Sequence, residues 1–105
     1  MKIRPCNSSN IIDVYAVYWS GVDTLLLGMP KGHRGLIAYN LKKVNMVDPD
    51  MSGEFIYFNN TCSGIYHWAL IKEALLDDLL ENDETAYNRF LEILKAEGRV
   101  APDFY

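Results

Sequence analysis

"SGIYHWALIKEALLDDLLE", Ser63 to Glu81, is the stretch on which the fold turns, because the hydrophobic period changes there. Upstream lie short runs of β-branched and aromatic residues. From Ile65 onward the apolar residues recur every three or four positions. On a helical wheel Trp68, Ile71, Leu75, Leu76 and Leu79 form one broad face, with Glu73, Asp77 and Glu81 opposite. Read at a period of 3.6 with Ser63 as N-cap, the stretch predicts one helix from Ile65 to about Glu81. "END", Glu81 to Asp83, stops that helix and starts a second, capped by Asn82 or Asp83. Ala86, Tyr87, Phe90, Leu91, Ile93 and Leu94 supply the core stripe of the second helix, and Gly98 its natural end.

Working outward, "IIDVYAVYW" (Ile11 to Trp19), the turn-prone "SGVD" and "TLLLG" read as a β-hairpin. Val14, Ala16 and Tyr18 fall on one face of the first strand, and Tyr15, Val17 and Trp19 on the other. Neither face is polar, so the strand is either covered on both sides or presents a face to a partner. "LIAYNLKKVNMV", Leu36 to Val47, supplies two short strands in preference to one long bent one. "DPDMSG" is a break, since Pro49 cannot continue a ladder, and "EFIYFN" gives another strand. The expectation is an α+β fold in a single domain spanning 1–105. A mostly antiparallel sheet of four or five strands occupies roughly 11–60, followed by two packed C-terminal helices over roughly 63–97.

At 105 residues, half of them hydrophobic, the chain can bury a core without metals or disulfides. Its net charge of −4 and pI near 5.0 oppose general binding to nucleic acid, whose affinity comes from lysine and arginine displacing counterions. A cationic partner suits it better. "MKIRPCNSSNIID" has no apolar run of signal-peptide length, and nowhere do eighteen apolar residues run together, so the chain reads as cytoplasmic and without a membrane segment. Cys6 and Cys62 then read as reduced thiols.

No catalytic set emerges from the polar residues. "PKGHRG" places Lys31, His33 and Arg34 among glycines but lacks the P-loop spacing and precedes a strand, so it reads as a solvated loop. Cys62 lies just before the expected helix, where a thiolate is stabilised, with His67 five residues on. Five helical residues rotate a side chain by about 140°, so the pair points apart and reads as structural. Two cysteines and two histidines without close spacing imply no metal, and Asp48 and Asp50 are turn formers; no cofactor is expected. Tyr15, Trp19, Tyr66 and Trp68 read mainly as core, with at least one aromatic exposed. The acidic residues are the unexplained feature. Glu73, Asp77 and Glu81, at helical spacing and with Asp78, Asp83 and Glu84 continuing them, cost the helix a few tenths of a kcal/mol per like-charged pair, about 0.2–0.5. Local stability does not explain them, so all six are read as partner-binding.

With its single-domain size, sheet-then-helix order and "YHWALIKEALLDDLLENDETAYNRFLEIL" (Tyr66 to Leu94), the chain resembles the small bacterial immunity proteins. These protect cells from the toxins of contact-dependent growth inhibition and related polymorphic toxin systems. The resemblance implies an antitoxin that binds a cognate toxin domain, often a basic nuclease, and blocks its active site or a surface beside it. No family residue transfers by position. Two other readings stand beside it: a small cytosolic enzyme using Cys62 or His67, and an oligomeric adaptor whose exposed aromatics face another copy.

Overall fold

The computed structural model describes residues 1–59 and 63–104. Among these residues seven strands come first: β1 (Lys2–Pro5), β2 (Ile12–Ser20), β3 (Asp23–Gly28), β4 (Ile37–Asn40), β5 (Val44–Asp48), β6 (Phe55–Asn59) and β7 (Ser63–His67). Three helices follow, α1 (Trp68–Lys72), α2 (Leu76–Leu80) and α3 (Glu84–Ala96). Every strand pairing is antiparallel. The α+β order is therefore as expected, a mostly antiparallel sheet followed by C-terminal helices. The sheet is larger than four or five strands because Lys2–Pro5 and Ser63–His67 are strands too, so the strands reach beyond 11–60 and the helices begin only at Trp68.

β2 organises the sheet. One edge pairs with β3 along most of its length. The other is shared, Ile12 and Asp13 pairing with β1 and Ala16 to Tyr18 with β7. A bulge between Val14 and Ala16 resets the alternation of side chains. Ile12 and Val14 enter a small core with Ile3 and Leu26, whereas Tyr15 and Ala16 both enter the larger core beneath the helices. Beyond the bulge Val17 returns to the small core and Tyr18 packs on the large one. This answers the question its sequence raised: β2 is covered on both sides as far as Tyr18, and only its end at Trp19 and Ser20 is exposed.

The small core exists because the sheet curls. β4 and β5 stand at opposite ends of the order β4-β3-β2-β1-β5, about 19 Å apart in a flat sheet at about 4.8 Å per strand. Only a 3-10 turn, Leu41–Lys43, joins them, and those four peptide steps span about 14 Å at most. The two edges must therefore approach, and Tyr39 of β4 and Val44 of β5 pack against the same cluster. "LIAYNLKKVNMV" is thus two short strands. The Asn40 side chain fixes the corner by accepting the Lys42 N–H at 2.9 Å. At the β2–β3 turn, Gly21 takes the first of two loop positions with φ +61°, which suits a type II′ hairpin.

The expected helix from Ile65 to Glu81 is not formed, and Ser63 is not its N-cap. Ser63–His67 pairs with β2 and β6 as a strand, because completing the ladder on β2 outweighs the local period. Gly64 permits it, since a Cβ there would lie 2.5 Å from the Cβ of Tyr18 and 2.7 Å from the Val17 carbonyl. α1 then lasts five residues, and the chain turns through Ala74 at φ +53° before α2 begins. The reason is angular. Leu70 and Leu79 are nine residues apart, about 180° on a straight helix, yet both are buried in the large core. Only a broken helix brings them to one side.

α3 follows the sequence closely. Asp83 caps it, accepting the Ala86 N–H at 2.8 Å, and all six residues of the expected stripe are buried. At its end Gly98 (φ +71°) donates to Lys95 O at 3.1 Å and Arg99 N–H to Leu94 O at 2.9 Å, the two bonds of a Schellman motif. Leu79 is 0% exposed and its neighbour Leu80 43% exposed. Leu79→Ala is therefore expected to cost about 2–5 kcal/mol in denaturant unfolding, and Leu80→Ala within about 0.5 kcal/mol of nothing. Equal losses at the two positions would show that α2 faces the core differently.

Candidate functional site

The six acidic residues divide into two groups once the chain is folded. Glu73, the C-cap of α1, is held by Arg89 through two parallel bonds, Nε to Oε1 and Nη2 to Oε2, each 2.8 Å. That paired donation keeps its carboxyl below the usual carboxylate range. Asp83 is spent on capping α3. Glu84 meets Arg34 at 3.3 Å, and the Arg34 guanidinium also lies 5.2 Å from the centroid of the Tyr87 ring. The break at Ala74 also removes the continuous edge expected of Glu73, Asp77 and Glu81, since they do not share one helix. What remains is α2. Asp77, Asp78 and Glu81 are exposed and, among the described residues, have no ion-pair partner. Asp77 and Asp78 sit in the first turn, where the helix dipole tolerates anions; Glu81 sits at the C-cap, where it does not.

The same break opens a groove beside these carboxylates. Phe58 of β6, Leu70 and Ile71 of α1, Ala74 of the turn, and Leu76 and Asp77 of α2 line a shallow, mainly apolar depression of about 200 Å³. Phe58, Ile71 and Leu76 are each only half-buried, and Leu80 is exposed farther along α2. A continuous helix would close this depression, so the sequence period conceals it. The local signal is Leu70, which stands about 180° from Leu79 on the expected helix and so cannot share its face.

His67 is placed for architecture. It is 0% exposed and uses both ring nitrogens: Nδ1 accepts the Ala69 N–H at 3.1 Å as the N-cap of α1, and Nε2 stands 2.7 Å from Glu97 Oε1. With Nδ1 accepting, the proton sits on Nε2 and is donated to the carboxylate. The Trp68 indole N–H donates to the other oxygen, Glu97 Oε2, at 2.8 Å. The rings of Tyr15, Phe55 and Phe90 meet the imidazole edge-on, with centroids 6.1, 6.0 and 5.3 Å away. Burial lowers the His67 pKa despite the opposing Glu97 carboxylate. Burial pushes Glu97 upward, but the bonds from Trp68 and His67 outweigh it and hold the group low. Cys62, the other residue of the enzyme reading, lies outside the described residues.

The remaining candidates are absorbed into the fold. Arg34 of "PKGHRG" pairs with Glu84, and the His33 carbonyl accepts from Asn82 Nδ2 at 3.1 Å, so this loop docks on the α2–α3 junction. Asp48 Oδ1 accepts the Asp50 N–H at 2.9 Å in a local turn, as the sequence implies. Tyr15 and Tyr66 are core and Trp68 is half-buried, whereas Trp19 is 44% and Tyr57 63% exposed. A second recess, about 180 Å³, opens where β1 and β7 part along β2 and is bordered by Lys2, Asp13, Tyr15, Asp48, Phe55 and Arg99. Its charges are largely answered from within, Lys2 by Asp13 and Arg99 by Glu97 and the Ser52 carbonyl. Among the described residues no three His, Cys, Asp or Glu side chains converge as a metal requires, and no helix is long and apolar enough to cross a membrane.

No family model, no curated protein and no solved structure matches this chain.

The His67–Glu97 pair sets a pH dependence with a definite sign. His67 titrates lower in the folded protein than its ordinary 6.5, so the unfolded chain binds the proton more readily. Stability is full above about pH 6.5 and falls as the solution is acidified below it. Glu97, also lowered from 4.5, adds a second loss below that value. Denaturation midpoints measured from pH 8 to 3 are expected to fall in these two stages. His67→Gln should be less stable at pH 8 yet lose less between pH 7 and 5; an unchanged slope would mean that another group titrates.

Proposed function

We propose that this chain is an immunity protein, an antitoxin of the cytoplasm that binds and neutralises a cognate toxin domain with a basic surface, of the nuclease type. The observation that carries this reading is that Asp77 and Asp78 of α2 and its C-cap Glu81 are exposed and have no ion-pair partner among the described residues, when Glu73, Asp83 and Glu84 of the same acidic stretch are engaged within the fold. Carboxylates fixed on a short helix with no counter-charge present a negative field that steers a cationic surface toward them. A toxin that grips nucleic acid offers such a surface, and a protein that reaches it first blocks substrate entry. An enzyme built on His67 is less well supported, since both its nitrogens are committed and the ring has no exposure.

Because α2 is anchored by Leu79 and not by its acidic side chains, Asp77→Lys combined with Glu81→Lys is expected to leave the fold intact. With a partner obtained by pull-down or by expressing the neighbouring gene product, the reversed protein should associate at least about tenfold more slowly at low salt and show a weaker salt dependence. Stopped-flow association across a salt series reads both effects. Rates equal to those of the parent at every salt concentration would reduce the acidic face to a solvated surface.

A further inference from the structure

The groove beside α2 has features that a mere packing defect lacks. Ala74 holds φ +53°, a left-handed conformation that an L-residue adopts only at a cost, and it is this turn that separates α1 from α2 and leaves the depression open. The walls are apolar, from Phe58, Ile71 and Leu76, and the rim carries Asp77, with Asp78 beside it and Glu81 at the far end of the helix. At about 200 Å³ the depression is smaller than ordinary metabolite pockets and matches a single large side chain. Apolar floor and anionic rim together define what fits.

We infer that this groove is an anchoring pocket for a basic segment of a protein partner, which inserts one leucine- or phenylalanine-sized side chain against Phe58, Ile71 and Leu76 while a neighbouring lysine or arginine meets Asp77. The inference rests on the reading of α2 as the binding face and adds to it the chemistry of the contacting segment. Charge selects the occupant. A second copy of this chain, itself of net charge −4, would bring the same carboxylates face to face, and an anionic lipid surface would be repelled by them. A cationic peptide segment gains from both halves of the site. The apolar anchor supplies a slow off-rate, which exposed charges by themselves do not.

Two synthetic probe peptides of equal length and charge test this on the full chain, one interspersing leucine among lysines and the other serine among lysines. Amide chemical shifts and affinities are read by NMR titration. The leucine peptide is expected to bind at least about tenfold tighter, the factor that burying one leucine side chain provides. Its largest shifts should fall at Ile71, Ala74 and Leu76, while the serine peptide perturbs only Asp77, Asp78 and Glu81. Equal affinities, with shifts confined to the carboxylates, overturn the anchoring pocket and leave the acidic binding face standing. Tighter leucine binding with shifts at Trp19 and Val22 on the β2–β3 turn overturns the assignment of the pocket to this groove. Binding by neither peptide overturns the pocket and the acidic face together.

Discussion

The antiparallel pairing of Ala16, Val17 and Tyr18 with Tyr66, Ile65 and Gly64 is the constraint from which the second half of the molecule follows. It commits Ser63–His67 to a strand and so delays the first helix until Trp68. His67 then stands at the helix start, buried, and caps it with its own ring. Starting at that point turns Leu70 inward. Leu79, half a helical revolution away, can join it in the core only if the helix breaks. The turn at Ala74, the short α2, and the groove between them are consequences of that one register. Gly64 makes the register possible by leaving no Cβ to collide with β2.

A second level of organisation is electrostatic. The partly exposed carboxylate of Glu97 receives a histidine and an indole N–H, so its charge is matched by two donors, one of them from a fully buried ring. That cluster ties the end of α3 to the start of α1. Arg99, fixed in direction by the Schellman turn at Gly98, reaches past Glu97 to the Ser52 carbonyl in the β5–β6 connection. The fit there is close, since a Cβ on Gly53, itself at φ +102°, would overlap the guanidinium. One helix terminus thereby holds a strand–helix junction and a long loop in place.

Surface charge acquires meaning only against this background. An acidic count taken along the chain treats six carboxylates alike, but the fold employs one as a cap and two as ion-pair partners. The three left over share one short helix with an apolar groove at its side. Charge that the fold does not use, beside apolar surface that the fold does not cover, is the combination expected where another protein docks.

What the sequence determined by itself is what local rules encode. The cap, six-residue stripe and glycine terminus of α3 lie within one continuous segment, Asp83 to Gly98, and α3 forms as read. The β2–β3 hairpin and the division of Leu36–Val47 into two strands are likewise local, written in glycine at a tight turn and in a polar interruption between apolar runs. The order of sheet then helices follows from the change of period. What only the tertiary structure decided are the features that depend on distant partners. Ser63–His67 carries an apolar pattern compatible with helix or strand, and β2, some fifty residues earlier, chose strand. Glu73 meets Arg89 sixteen positions away and Glu84 meets Arg34 fifty away, so no reading of neighbours could show which carboxylates are satisfied. The groove, made by a break that exists to bury Leu70 and Leu79 together, has no sequence period of its own: it is the space left when two residues on opposite sides of an ideal helix are both required in one core.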